Sequence, residues 1–224
     1  IYITGSRVTY VKGNYIGTAS NGTSNITTSS QDCGITMENS ADLAEIGGVN
    51  SGEGNLISGN TLSGIILNGS GGDNTIYGNI IGPQKNGSAI VSGSGQLSGI
   101  VIADSWNNVI GGSSSAYRNV ISGNISYGIY IENNSTGNFI KGNYIGLASN
   151  GSSTIPSSIQ ATGVFIAAQL FANDNIIGGT LAGEGNVISG NDDGAGTGKG
   201  VYLYRYTGFP GTYNTVIGNI IGPQ

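Results

Sequence analysis

The chain of 224 residues contains no histidine, one cysteine (Cys33), one methionine, one tryptophan and four prolines. Charge is scarce too: seven Lys+Arg and twelve Asp+Glu make up 8% of the residues, for a net charge of −5, where an average domain is about a quarter charged. Each shortage removes a class of function. Without histidine there is no imidazole acid–base chemistry, and with one cysteine there is neither a His/Cys zinc site nor a disulfide framework. Seven scattered cations make a poor electrostatic footprint for nucleic acid. No uninterrupted apolar run approaches the roughly 20 residues that span a bilayer as a helix. The expectation is therefore no cofactor, no nucleic-acid partner and no membrane insertion.

Glycine is abundant, with 42 residues, and Ile, Val, Leu and Tyr recur at fixed places, which argues for order. The recurrence is the main signal. Gly13-Asn-Tyr-Ile-Gly17 returns as Gly78-Asn-Ile-Ile-Gly82, Gly142-Asn-Tyr-Ile-Gly146 and Gly218-Asn-Ile-Ile-Gly222. Between these, Asn55-Leu-Ile-Ser-Gly-Asn60 returns as Asn119-Val-Ile-Ser-Gly-Asn124 and Asn186-Val-Ile-Ser-Gly-Asn191. Each unit opens on a short apolar run, beginning at Ile1, Ile35, Ile65, Ile100, Ile129, Val164 and Val201. Ile1, Ile65 and Ile129 are each 64 residues apart, so the true period is a pair of units. The last pair is eight residues longer, and Asp192-Asp-Gly-Ala-Gly-Thr-Gly-Lys199 reads as an exposed insert.

Within a unit, three short β-prone runs alternate with Gly, Asn and Ser, as in Ile65-Ile-Leu67, Thr75-Ile-Tyr77 and Ile80-Ile81. No 3.6-residue period is present. Runs this short can pair only with their equivalents one unit later, in parallel. That predicts an all-β, right-handed, single-stranded parallel β-helix of about seven turns with three short sheets. Two columns support it. The second residue of the third run is isoleucine in all seven units (Ile16, Ile57, Ile81, Ile121, Ile145, Ile188, Ile221), as a stacked interior requires. The residue before that run is always asparagine (Asn14, Asn55, Asn79, Asn119, Asn143, Asn186, Asn219). Asparagine tolerates the left-handed backbone of a sharp corner, and amides stacked about 4.8 Å apart can hydrogen-bond up the column.

These G-I-x-I, N-x-I-x-G-N and N-V-I-S-G-N strings resemble right-handed parallel β-helix repeats, the architecture of pectate-lyase-like proteins, and are similar to repeat tracts of very large bacterial and archaeal surface proteins. The resemblance covers essentially the whole chain. It implies the fold but no single activity, because that architecture hosts lyases, hydrolases, epimerases, adhesins and phage tailspikes. The chain starts and stops inside a repeat without a polar cap, so residues 1–224 are expected to be one solenoid segment of a longer chain or an assembly.

Function is expected on the outward faces. If Ile129 and Ile131 point in, Tyr130 points out, and its column reads Tyr2, Thr36, Ile66, Val101, Tyr130, Phe165, Tyr202. The next outward position adds Tyr204 and the carboxylates Glu38 and Glu132. Tyr130, Phe165, Tyr202 and Tyr204 are therefore the candidate binding residues, for a sugar chain stacking on rings or for another protein; strand propensity, or cover by loops, is the alternative reading of the same stripe. The third run has its own outward column, Tyr15, Leu56, Ile80, Val120, Tyr144, Val187 and Ile220. Two stripes on one rod favour lateral packing against other rods.

Catalysis needs paired carboxylates. Glu38 and Glu132 lie three turns, about 14 Å, apart, too far for either glycosidase geometry. Asp104 and Glu132, on adjacent turns near Trp106 and Tyr130, form the better pair and also have donors for Ca²⁺. The resemblance implies acidic clusters with a basic residue; only Arg205 lies nearby, and Lys141 falls around the corner. No catalytic residue and no metal ligand is assigned. Eight Asn-x-Ser/Thr sequons occur, at Asn21, Asn25, Asn68, Asn86, Asn124, Asn133, Asn134 and Asn150. Three of them (Asn21, Asn86, Asn150) recur in one loop. No regular threonine column suits an ice-binding face. The sequence thus points to a non-enzymatic extracellular or cell-surface solenoid whose partners are copies of itself or neighbouring surface proteins. A carbohydrate-binding or polysaccharide-degrading β-helix is the alternative.

Overall fold

Each coil of the chain lays down three strands, and each strand pairs in parallel with its counterpart one coil away. The computed structural model describes residues 1–26, 31–168, 172–207 and 213–222. Three seven-stranded parallel sheets run the length of the molecule. This is a parallel β-helix of seven turns. The first sheet has the long strands, such as Tyr127–Glu132 and Thr162–Ala168. The second has strands of two or three residues, such as Phe139–Lys141, and the third has strands of two, such as Tyr144–Ile145. Register follows the repeat residue for residue: Tyr130 sits on Val101 and beneath Phe165, and Phe165 beneath Tyr202. Among the described residues there is no α-helix, and a single 3₁₀ turn covers Ser115–Tyr117.

One apolar core fills the coil. Its members come from all three sheets, for example Ile129, Ile131, Ile140 and Ile145 from one turn, each with no exposed area. The isoleucine column of the third run is buried from Ile16 to Ile188, and only Ile221, in the last turn, is open. Burying each such side chain contributes about 1.5–3 kcal/mol, set against the entropy of fixing the backbone.

The corners are polar and, in the inner turns, buried, which is possible only because the amides satisfy one another. In the expected column, the Asn79 amide donates to Asn119 Oδ1 at 3.1 Å, Asn119 to Asn143 at 2.9 Å and Asn143 to Asn186 at 3.0 Å. The asparagines do not take the left-handed backbone expected of them. In alternate turns the preceding glycines do, with φ of +68° at Gly13, +71° at Gly78 and +69° at Gly142 and Gly218. A Cβ on Gly78 would stand 2.2 Å from the Gly48 carbonyl oxygen. Asparagine is therefore selected for its amide, and glycine for the bend.

Two further ladders occupy the other corners. Between the first and second sheets, Asn74, Asn108, Asn138, Asn175 and Asn214 form a chain with links of 2.8–3.0 Å. Between the third and first sheets the chain alternates in type: Gln31, Asn60, Gln96, Asn124, Gln160, Asn191, with links of 2.7–3.0 Å. This mixed ladder has a period of two turns, the same as the 64-residue repeat.

The inserts share that period. Those after the third run fold as small hairpins closed by the bridges Thr18–Asn25, Pro83–Ile90 and Leu147–Thr154. Tight Asn-Gly turns are at their tips. Asn21, Asn86 and Asn150 each accept a hydrogen bond from the backbone N–H two residues on, and Gly22, Gly87 and Gly151 have φ of +67° to +70°. Ridges of inserts on every second turn could stand apart. Instead the hairpins touch: Lys85 N–H donates to the Gly22 carbonyl at 3.0 Å, and Ser149 N–H to that of Gly87 at 2.9 Å. The ridge is continuous and closes over the turns between, leaving Leu56 3% and Val120 7% exposed.

Candidate functional site

The outward face of the first sheet carries the predicted aromatic column in the predicted register. Parallel in-register pairing places equivalent side chains about 4.8 Å apart, so rings at one position stack by default. The Tyr130 and Phe165 rings are 5.3 Å apart and 7° from parallel; Phe165 and Tyr202 are 4.9 Å apart at 17°. Tyr204 joins through Tyr202, with centroids 6.0 Å apart. The structure adds two rings that sequence reasoning missed. Tyr127 lies 5.0 Å from Tyr130 and 5.2 Å from Phe165, and Tyr206 meets Tyr204 edge-on at 4.8 Å. Six rings thus form one continuous patch over three turns. Tyr127 shares the parity of the inward Ile129 and Ile131, so a strict period of two does not place it on the outward face.

The patch is graded in exposure. Tyr130, Phe165 and Tyr202 are half-buried edges, whereas Tyr204 and Tyr206 are 40% and 38% exposed. Tyr130 is anchored: its hydroxyl donates to Glu132 Oε2 at 2.7 Å, and burial, reinforced by that carboxylate, holds the phenol well above its ordinary pKa. Lys199 Nζ sits 5.4 Å over the Tyr202 ring, a cation–π contact at the edge of the patch. Farther along the column Ile66 and Val101 are half-buried, and Tyr2 is open and donates to Glu38 at 2.8 Å.

Each member of the candidate acid pair has its own hydrogen-bond partners. Asp104 sits in a left-handed turn, φ +49°, and its carboxylate accepts from the side-chain amides of Asn133 at 3.3 Å and Asn134 at 2.7 Å. Glu132 is held by Tyr130 in its own strand. Trp106 is 45% exposed and lies against Gly72, where any Cβ would meet its indole at 2.5 Å. Lys141 belongs to the second sheet, bound to Glu184 at 3.2 Å. Arg205 does lie on the first sheet, one position beyond Tyr204 and paired with Ala168. Among the described residues no three His, Cys, Asp or Glu side chains are grouped to hold a metal ion. Cys33 is a half-buried free thiol.

The third sheet's outward column behaves differently. It forms the floor of a trough between two walls: the continuous hairpin ridge on one side, and the inserts after the second run on the other. The latter drop onto the corner of the preceding turn, where Gly78 N–H donates to the Tyr117 carbonyl and Gly142 N–H to that of Glu184. Tyr144, in the floor, is covered by Arg118, whose guanidinium carbon is 4.1 Å from the ring centroid. Of this outward column Leu56 and Val120 are covered by loops, while Ile80 and Tyr144 remain half-buried.

The eight sequons also separate. Asn124 is fully buried within the mixed ladder, whereas Asn21, Asn86 and Asn150 are exposed at the hairpin tips. No protein-family model, curated protein or solved structure matches the chain.

Proposed function

We propose that this chain is a non-enzymatic structural and adhesive solenoid, a building block of an extracellular surface layer or filament whose partners are copies of itself or neighbouring surface proteins. The observation that carries the reading is the six-ring patch: a broad aromatic surface on a sheet, with the carboxylates Glu132 and Asp104 engaged in local hydrogen bonds. Such a surface gains free energy by being covered and offers little for acid–base chemistry. The test is electron microscopy of the protein at concentrations where weak contacts persist. Sheets or filaments that disperse on Phe165→Ala support the reading; dispersed single rods at every concentration overturn it.

A second reading is favoured by Tyr204 and Tyr206, which are 40% and 38% exposed at the end of the patch. An exposed ring suits the apolar face of a sugar in a neutral polysaccharide. Affinity electrophoresis against neutral polysaccharides, with Tyr204→Ala as the control, separates it from self-assembly.

A further inference from the structure

We infer that the trough over the third sheet is a separate site for an anionic glycan, with a carboxylate- or sulfate-bearing sugar held between Lys85 and Arg118. The trough encloses about 590 Å³, within the range of ordinary ligand sites. Its floor offers Tyr15, 51% exposed, and the half-buried Ile80. Lys85 stands on the hairpin ridge and Arg118 on the opposite wall, beside Ser115.

Charge makes the site stand out. The chain has seven Lys+Arg and a net charge of −5. Arg7 is paired with Asp42, Lys12 with Glu45 and Glu53, and Lys141 with Glu184. Lys85 and Arg118 instead share one concavity, and among the described residues no aspartate or glutamate lines it. Glu53, in the wall loop, is turned to Lys12 and to the Asn50 backbone N–H. Two cations without a facing acid, on an acidic molecule, form a local well for an anion.

Arg118 is already placed. Its Nε donates to the Gly142 carbonyl at 3.0 Å and its plane lies over Tyr144, which leaves the terminal guanidinium N–H groups to form the fork that matches a carboxylate or a sulfate. A peptide adding as a strand has no place here, because every strand of the floor from Leu56–Ile57 to Val187–Ile188 is paired on both sides. A nucleic acid needs a longer run of cations than two. A sugar ring laid on Tyr15, with its acidic group reaching Lys85 and Arg118, uses all the features present. This site lies on another face from the ring patch, and its fate is independent of the assembly reading.

Isothermal titration calorimetry tests it with three probes of equal length: a sulfated tetrasaccharide, a uronate tetrasaccharide and neutral cellotetraose. The expected result is binding of one or both anionic probes, weakened at least tenfold by Lys85→Gln and by raising salt from 50 to 500 mM, with no heat from the neutral probe. The two anionic arms tell carboxylate from sulfate recognition. Lys85 is exposed on a loop, so its variant leaves the fold intact; Arg118→Lys, which keeps the charge but loses the fork, should weaken binding as well. Equal binding of the neutral probe, no binding of either anionic probe at millimolar concentration, or unchanged affinity in Lys85→Gln overturns the proposal.

Discussion

Asn79 donates twice to one oxygen of Asn119: its backbone N–H reaches Oδ1 at 3.0 Å and its side-chain amide at 3.1 Å. The Asn119 amide in turn caps the Ile76 carbonyl at 2.8 Å and continues the ladder to Asn143. Replacing Asn119 with alanine therefore strands the buried Asn79 N–H and takes the cap from the Ile76 carbonyl, while the Asn79 amide keeps the Ile46 and Tyr77 carbonyls. At about 1–3 kcal/mol for each unsatisfied buried group, Asn119→Ala should cost about 3–5 kcal/mol. Asn14→Ala, in the half-buried first turn, should cost about 1–2 kcal/mol. Urea unfolding followed by circular dichroism measures both, and equal losses would contradict the ladder's role.

Gly111 and Gly52 separate two ways in which glycine is needed. Both have left-handed backbones, φ +87° and +84°. A Cβ on Gly111 would stand 2.1 Å from the Lys141 carbonyl oxygen in the next coil, whereas one on Gly52 would meet nothing within 4 Å. Gly52→Ala should cost only the conformational strain, about 1–2 kcal/mol. Gly111→Ala must push two paired coils apart and should lower the midpoint of thermal unfolding several-fold further, or abolish soluble expression.

Alkali should destabilise the fold before it affects most other groups. Tyr77 and Tyr130 are both held protonated above their ordinary value of 10.0, first by burial and then by hydrogen bonds to Glu45 and Glu132. Because the folded state raises these pKa values, their contribution is fully present below pH 10. It is lost as pH rises above that value, where the unfolded chain ionises first. The unfolding midpoint should fall between about pH 10 and 12, and Tyr130→Phe should flatten part of that fall.

Glycosylation, where a host supplies it, should follow burial and ignore the sequon count. Mass spectrometry of peptides from a secreted, glycosylated preparation should find Asn124 bare and sugars on some of Asn21, Asn86 and Asn150. Full occupancy of Asn124 in folded protein would be incompatible with its place between Gln96 and Gln160.

The coil, its register and one asparagine ladder were legible because each is written at a fixed offset in every unit. Asn14 to Asn219 precede the same isoleucine each time, so the column is visible without coordinates. The Gln31–Asn191 ladder was not legible, since its glutamines come from the ends of variable inserts and share no string with Asn60, Asn124 or Asn191. For the same reason the roofing of Leu56 and Val120 was hidden: it depends on how far a hairpin leans, which local sequence does not encode. The ring column was read correctly in order and direction. What could not be read was the partner of each polar group: Asp104 and Glu132 look like a pair along the chain, yet each has a hydrogen-bonding neighbour of its own, Asn134 and Tyr130.

The alternation of glutamine and asparagine at the third corner constrains how such a molecule can change in length. A single coil gained or lost would set glutamine against glutamine, or asparagine against asparagine, across a gap sized for one long and one short amide, and would put a hairpin where its neighbour expects none. Duplication or deletion of two coils, 64 residues, preserves every link. Genes encoding solenoids of this kind should therefore vary by even numbers of coils, lengthening or shortening the rod in steps of about 9.6 Å.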